Sequence, residues 1–219
     1  MPKLASIPEL QYRGKPALAP IEEDLQRLYD LITFRRSMSV LEFGCGYSTI
    51  IIAQAITDNK AWFETSQKIT KEYRVGMSNF VPWHCSVVDS DKAWMKEVGN
   101  KIPKNLAPVV DMYVSDCHAG TFNGQLCSYY SMLPDILPDF IYMDGPDQHV
   151  VSGNVNGLGF KDKRHPMAAD ILLMEPTLLP GATILVDGRV LNVIFLRNNF
   201  KRKWVLKQNN DYSIFRLME

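Results

Sequence analysis

Short apolar runs alternate with longer amphipathic stretches along the chain, the rhythm of successive strand–helix units. Val40, Leu41 and Phe43 make one run, too short and too β-branched for a helix, and Ser48–Thr57 (STIIIAQAIT) reads as the helix after it. Ahead of them, Ile21–Phe34 carries Ile21, Leu25, Leu28 and Ile32 on one stripe, with acids in its first turn, where a helix N-terminus favours them. Further strands are expected at Cys85–Asp89, Val109–Ser115, Asp139–Asp144 and Leu179–Asp187. Asp91 caps a helix carrying Trp94, Met95 and Val98, which stops before Pro103, and further helices are expected at Met167–Glu175 and Val190–Phe200. Gly120–Gly124 reads as a loop and Ser128–Leu137 as a short helical or turn segment. Trp204–Gln208 and Tyr212–Leu217 alternate around a turn at Asn209–Asp211, a hairpin.

The fold expected from this order is α/β: a doubly wound, Rossmann-like sheet of about seven strands, mostly parallel with a C-terminal antiparallel hairpin. One domain spans residues 1–219, with a helical N-terminal extension (1–38) and a core (39–219). The polar stretch Gln67–Met77 suggests an extra helix in an insertion over 60–82, and the glycine-rich segment 145–166 a mobile loop at the ligand end of the sheet.

Lysine plus arginine and aspartate plus glutamate each number 24, and the longest basic run is Lys201–Lys203, which argues against non-specific nucleic-acid binding. No apolar segment approaches a membrane span, and MPKLASIPEL lacks a signal-peptide core. Cys45, Cys85, Cys117 and Cys127 lack CxxC spacing and read as free thiols in a reducing cytoplasm; a zinc site from His84–Cys85 and Cys117–His118 would need adjacent ligands that diverge. The balance leaves a small nucleotide ligand and a homo-oligomer open.

Ser39–Thr49 (SVLEFGCGYST) concentrates the chemistry. Gly44 and Gly46 let the chain turn sharply and approach a ligand closely, and Tyr47, Ser48 and Thr49 open the following helix with free N–H groups. A dinucleotide fingerprint wants a third glycine where Thr49 stands, and Glu42 before the turn repels pyrophosphate but suits an ammonium. An NAD-dependent oxidoreductase is therefore disfavoured. This acid-x-Gly-x-Gly pattern resembles the first motif of the class I S-adenosylmethionine (SAM) methyltransferases. The resemblance extends from Ser39 to the C-terminus through Asp139–Asp144 (DFIYMD), the LLPGA turn and the terminal hairpin, and is weakest around Ala61–Pro82.

The resemblance implies SAM as cofactor, held by Glu42, Gly44, Gly46, Tyr47, Ser48 and Thr49, with Asp116 near the adenine. An acid at the end of the second strand takes the two ribose hydroxyls; Asp89 is preferred and Glu64, ending AWFE, is the alternative. Asp144 and His149 are the candidate catalytic groups, the aspartate at a strand end and the histidine by its ordinary pKa. Asp187 and Arg189 are candidate substrate-binding residues, the arginine for an anionic group. Asp144 with Asp187 is also a minority candidate for a divalent cation, as in catechol-type O-methyltransferases, although Gly188 and Arg189 follow where that group has asparagine. The expected activity is methyl transfer to a small molecule, at oxygen; a catalytically silent SAM- or nucleotide-binding module is the alternative.

Overall fold

The computed structural model describes residue 4 and residues 6–66, 83–161 and 163–219. The helix expected at Gln67–Met77, and most of the insertion expected over 60–82, lie outside the described residues.

The N-terminal extension holds a two-stranded hairpin, β1 (Gln11–Tyr12) and β2 (Lys15–Pro16), then helix α1 (Glu22–Arg35). Helix α1 buries Leu25, Leu28, Tyr29 and Ile32 against α2 (Tyr47–Thr65), and the Tyr29 hydroxyl donates to Asp58 at 2.7 Å. Helix α2 is apolar on most faces (Ile50, Ile51, Ile52, Ala53, Ala55 and Ile56 are buried) because it is sandwiched between α1 and the sheet. It runs well past Thr57, so Ala61–Glu64 is helical, not a strand. No proline or glycine interrupts Ser48–Thr65, and a helix already docked over its apolar turns propagates cheaply through residues of modest propensity. Glu64 is exposed on this helix and ends no strand.

The central sheet has the order β10-β11-β9-β8-β3-β4-β5. Its parallel strands are β3 (Ser39–Phe43), β4 (His84–Asp89), β5 (Val110–Val114), β8 (Phe140–Met143) and β9 (Thr183–Asp187). The chain runs outward from β3 to β4 and β5, through α3 (Lys92–Lys101), then returns to β8 on the other side of β3. The last two strands, β10 (Trp204–Gln208) and β11 (Tyr212–Leu217), form the expected hairpin, and β11 inserts antiparallel between β9 and β10. Helices α4 (Asp170–Met174) and α5 (Val190–Asn199) lie between β8 and the hairpin in sequence. Helix α4 is shorter than its pattern suggested: a 3-10 turn over Glu175–Thr177 takes over at Pro176.

Residues 117–130 depart from expectation. Where a loop and a helical segment were read, β6 (Cys117–Phe122) and β7 (Gln125–Tyr130) form a hairpin outside the main sheet. Asn123 and Gly124 turn it, both with positive φ (49° and 74°), as a tight two-residue connection requires. The segment after β8 is tied to this hairpin: Ser152 exchanges backbone hydrogen bonds with Cys117 and Ala119, and Val151 and Phe160 are buried. Two cores result. One packs α1, α2 and α3 on one face of the sheet; the other packs α4, α5, β6–β7 and Phe160 on the opposite face, with Phe43 stacked on Tyr130 at 5.8 Å.

Candidate functional site

The sequence order of strands reverses between β3 and β8, and open α/β sheets bind ligands outside the carboxyl ends of strands at such a point. The turns leaving these two strands touch. Gly44 has φ of +90°, and a Cβ there would lie 3.1 Å from the Gly145 nitrogen; a Cβ on Gly145 would lie 2.6 Å from the Gly44 nitrogen. Both glycines are thus required by backbone packing against backbone, whereas the sequence pattern assigns Gly44 to ligand approach. Gly46 is different: its backbone is extended, and its missing Cβ would make only an ordinary contact, 3.8 Å from the Trp94 ring.

The glycine turn is held from within. Gly44 N–H donates to Val88 O at 2.9 Å, Cys45 N–H to Asp89 Oδ2 at 3.1 Å, and Gly46 N–H to Thr49 Oγ1 at 3.1 Å. Trp94 Nε1 donates to Cys45 O at 2.7 Å, so both sides of the Cys45 residue are pinned. Beneath the turn, Glu42 is fully buried, and its two oxygens accept from Ser48 Oγ at 2.5 Å and Thr49 Oγ1 at 2.7 Å. Burial pushes the Glu42 carboxyl up to about 8; the two hydroxyls pull it back, and the charges of Asp144 and Asp89 push it further. Glu42, Ser48 and Thr49 therefore form one interlocked unit that shapes the turn. Thr49, completely buried, also puts a side chain where a dinucleotide loop needs glycine.

Asp89 ends β4 beside the turn. Its other oxygen accepts Asp91 N–H at 2.8 Å, and burial raises its pKa against these hydrogen bonds. Asp91 caps α3 through the N–H groups of Ala93 and Trp94, both at 3.0 Å. Between the two acids, Ser90 Oγ is buried with no hydrogen-bond partner among the described residues. Asp116, one strand further out at the end of β5, is exposed.

Across the switch point, Asp144 follows β8. Its side chain is exposed at the strand end, and desolvation by the surrounding protein raises its carboxyl to about 6. Arg189, at the start of α5, opposes that rise, while Asp187 and Asp89 reinforce it. The Arg189 Nη2 group donates to Asp144 O at 2.7 Å and Pro146 O at 2.8 Å, bracing the turn after β8. Asp187 accepts from the Tyr142 hydroxyl at 2.9 Å, and burial raises its pKa. His149 donates its backbone N–H to Asp147 Oδ1 at 2.7 Å and has an exposed ring. The structure thus gathers Glu42, Gly44, Gly46, Ser48, Thr49, Asp89 and Asp144 around one junction and brings Asp187 and Arg189 to its rim. Asp116 lies at the end of β5, further from this junction.

A guanidinium sits against the Asp144 turn, Asp187 already receives a hydroxyl, and among the described residues no three histidine, cysteine or acidic side chains converge. Trp94, legible in the sequence only as a helical residue, and the N-terminal hairpin, not legible there, also meet beside the glycine turn. The Tyr12 ring meets Trp94 edge-on at 5.7 Å, its hydroxyl donates to Asp91 at 3.0 Å, and Leu10 N–H donates to the Tyr47 hydroxyl at 3.2 Å. Only the spacing of Trp94 three residues after a cap hinted at its direction.

No protein-family model matches the chain, and no curated protein does. Solved structures do. The chain is similar to the O-methyltransferase TomG of Streptomyces achromogenes, solved with SAM (13% identity, TM-score 0.50, covering 94% of this chain and 84% of that one). It is similar to an O-methyltransferase of Bacillus cereus solved with S-adenosylhomocysteine (SAH) (14%, TM-score 0.50, covering 93% and 84%). It is also similar to the SAH-bound methyltransferase PaMTH1 of Podospora anserina (12%, TM-score 0.52, covering 92% and 80%). At these identities the likeness is one of fold: the chain has the class I methyltransferase fold, with β11 as the antiparallel strand set between β9 and β10.

Proposed function

We propose that the protein is a SAM-dependent methyltransferase acting on a small molecule at oxygen. The observation that carries this reading is the pair of carboxylates, Asp89 and Asp144, that flank the glycine turn from opposite sides of the strand-order reversal. When bound, SAM supplies an electrophilic methyl group on a sulfonium, so the protein's task is to orient the nucleophile and accept its proton.

Asp89 takes the vicinal ribose hydroxyls. The backbone N–H groups of Cys45, Ser90 and Asp91 converge on its carboxylate and hold it in place at the strand end. Ser90 Oγ, buried and unpartnered beside it, is a further donor for the nucleoside. Gly46 and the first N–H groups of α2 line the site where the amino-acid tail lies, and the Glu42–Ser48–Thr49 unit keeps that turn in shape. Asp116 lies on the adenine side. Asp144 is the general base: held at about 6 it is mostly ionised at neutral pH and still basic enough to accept a hydroxyl proton. His149, on the segment after β8, is the second candidate for that transfer. Arg189 and Asp187 border the acceptor, and the Arg189 charge favours an acceptor with anionic or electron-rich oxygen. Free thiols at all four cysteines support a reducing, cytoplasmic setting, and among the described residues no helix is long and apolar enough to cross a membrane.

The test is ligand-induced stabilisation followed by turnover. SAM and SAH are expected to raise the melting temperature while NAD does not; transfer of radiolabelled methyl from SAM to one member of a panel of hydroxylated small molecules then completes the case. Binding of SAH without turnover of any acceptor identifies a silent binding module, and stabilisation by NAD alone overturns the reading.

A further inference from the structure

Helix α1 lies against α2, and the element that reaches the glycine turn is the exposed β1–β2 hairpin. Its attachments converge on one place. Leu10, fully buried, anchors the strand through its N–H on the Tyr47 hydroxyl, and Gln11 N–H donates to Glu97 Oε1 at 3.2 Å on α3. The Tyr12 hydroxyl and the Arg13 guanidinium both engage Asp91, at 3.0 Å and 3.8 Å, two residues from Asp89. Asp147, in the turn after β8, also bears electrostatically on Tyr12. The hairpin is therefore docked on the first turn of α2 and on α3.

Two aromatic rings stand between the hairpin and the turn. Trp94 lies over Gly46, fixed by its indole N–H on Cys45 O, and Tyr12 meets Trp94 edge-on at 85°. Tyr12 remains 39% exposed and Trp94 is half-buried, so neither ring has been consumed by a core. A partly open aromatic pair beside a carboxylate and an unpartnered hydroxyl is the surface on which a purine nucleoside stacks.

We propose that Tyr12 and Trp94 form a closing wall of the nucleoside site, so that the N-terminal hairpin is part of the cofactor pocket and is latched there by Asp91. This rests on the methyltransferase reading, because it takes SAM or SAH as occupant. Loss of a stacking partner lowers affinity roughly 5- to 150-fold. Tyr12→Ala, an exposed substitution distant from both cores, is expected to weaken SAH binding measured calorimetrically by that factor. Tyr12→Phe keeps the ring and loses the Asp91 latch, and is expected to weaken it by a smaller factor.

A second readout needs no variant. Arg13–Gly14 is exposed at the hairpin turn, whereas Lys15 precedes Pro16 and so resists trypsin. Saturating SAH is expected to slow tryptic cleavage after Arg13 severalfold, and adenosine alone to do so at higher concentration. Wild-type binding of SAH with unchanged affinity in Tyr12→Ala, or an unchanged cleavage rate after Arg13, overturns the inference and leaves the methyltransferase reading standing. Failure of the wild type to bind SAH overturns both.

Discussion

Replacing Glu42 by glutamine tests the electrostatics on which the glycine turn is built. The carboxyl is fully buried and is held up to about 8 from an ordinary 4.5, chiefly because burial penalises its charge. Between those two values the folded protein keeps a proton that the unfolded chain has released. Stability is then greatest below about pH 4.5, falls as pH rises, and the contribution is lost once pH passes about 8. Each pH unit of that interval is worth about 1.4 kcal/mol, so the whole interval corresponds to at most roughly 5 kcal/mol. Glutamine keeps the shape: its oxygen accepts from one hydroxyl and its amide donates to the other, while the titration disappears. Urea unfolding of both proteins from pH 5 to pH 9 measures the effect. The wild type should lose several kcal/mol more than Glu42→Gln over that range. Asp139 and Asp170, raised to about 6 and about 7, slope in the same direction in both proteins and cancel in the difference, which reports position 42 together with its coupling to Asp144 and Asp89. Superimposable stability curves for the two proteins would refute the reasoning.

Three further outcomes are expected. Gly145→Ala places a Cβ 2.6 Å from the Gly44 nitrogen, where backbone must shift, and should cost about 1–3 kcal/mol by thermal unfolding and lower SAH affinity as the two turns separate. Glu175→Ala removes the acceptor of Lys201 N–H, Arg202 N–H and the Trp204 indole, all at 3.1 Å or less; leaving these donors unsatisfied should cost about 3 kcal/mol or more in urea unfolding. Asp144→Asn should reduce methyl transfer by about 10²–10⁴-fold while leaving SAH affinity within a few-fold, and wild-type turnover should decline below about pH 6 as Asp144 protonates.

Much of the sheet was legible because buried parallel strands leave apolar runs and their ends leave acids. Asp89 and Asp144 stand at strand ends as the pattern required, and Asp91 caps α3 as expected. The β6–β7 hairpin carries a local signal as well, since Asn123–Gly124 suits a two-residue hairpin turn, although Gly120–Gly124 reads as a loop and Ser128–Leu137 as a helical or turn segment. Ala61–Glu64 misled for the opposite reason. Its residues favour a strand locally, yet they continue a helix whose preceding turns are buried between α1 and the sheet.

The order of residues alone determined which segments extend and which coil, where glycine permits a turn, and which acids fall at strand ends, because these depend on neighbours a few positions apart. Tertiary structure alone decided that Gly44 is reserved for the backbone of Gly145, that Glu42 is sealed beneath Ser48 and Thr49, and that Tyr12 stands edge-on to Trp94. Those pairings join residues that sheet topology brings together across the fold, and burial, which sets the charge of Glu42 and Asp144, exists only once the sheet has closed around them.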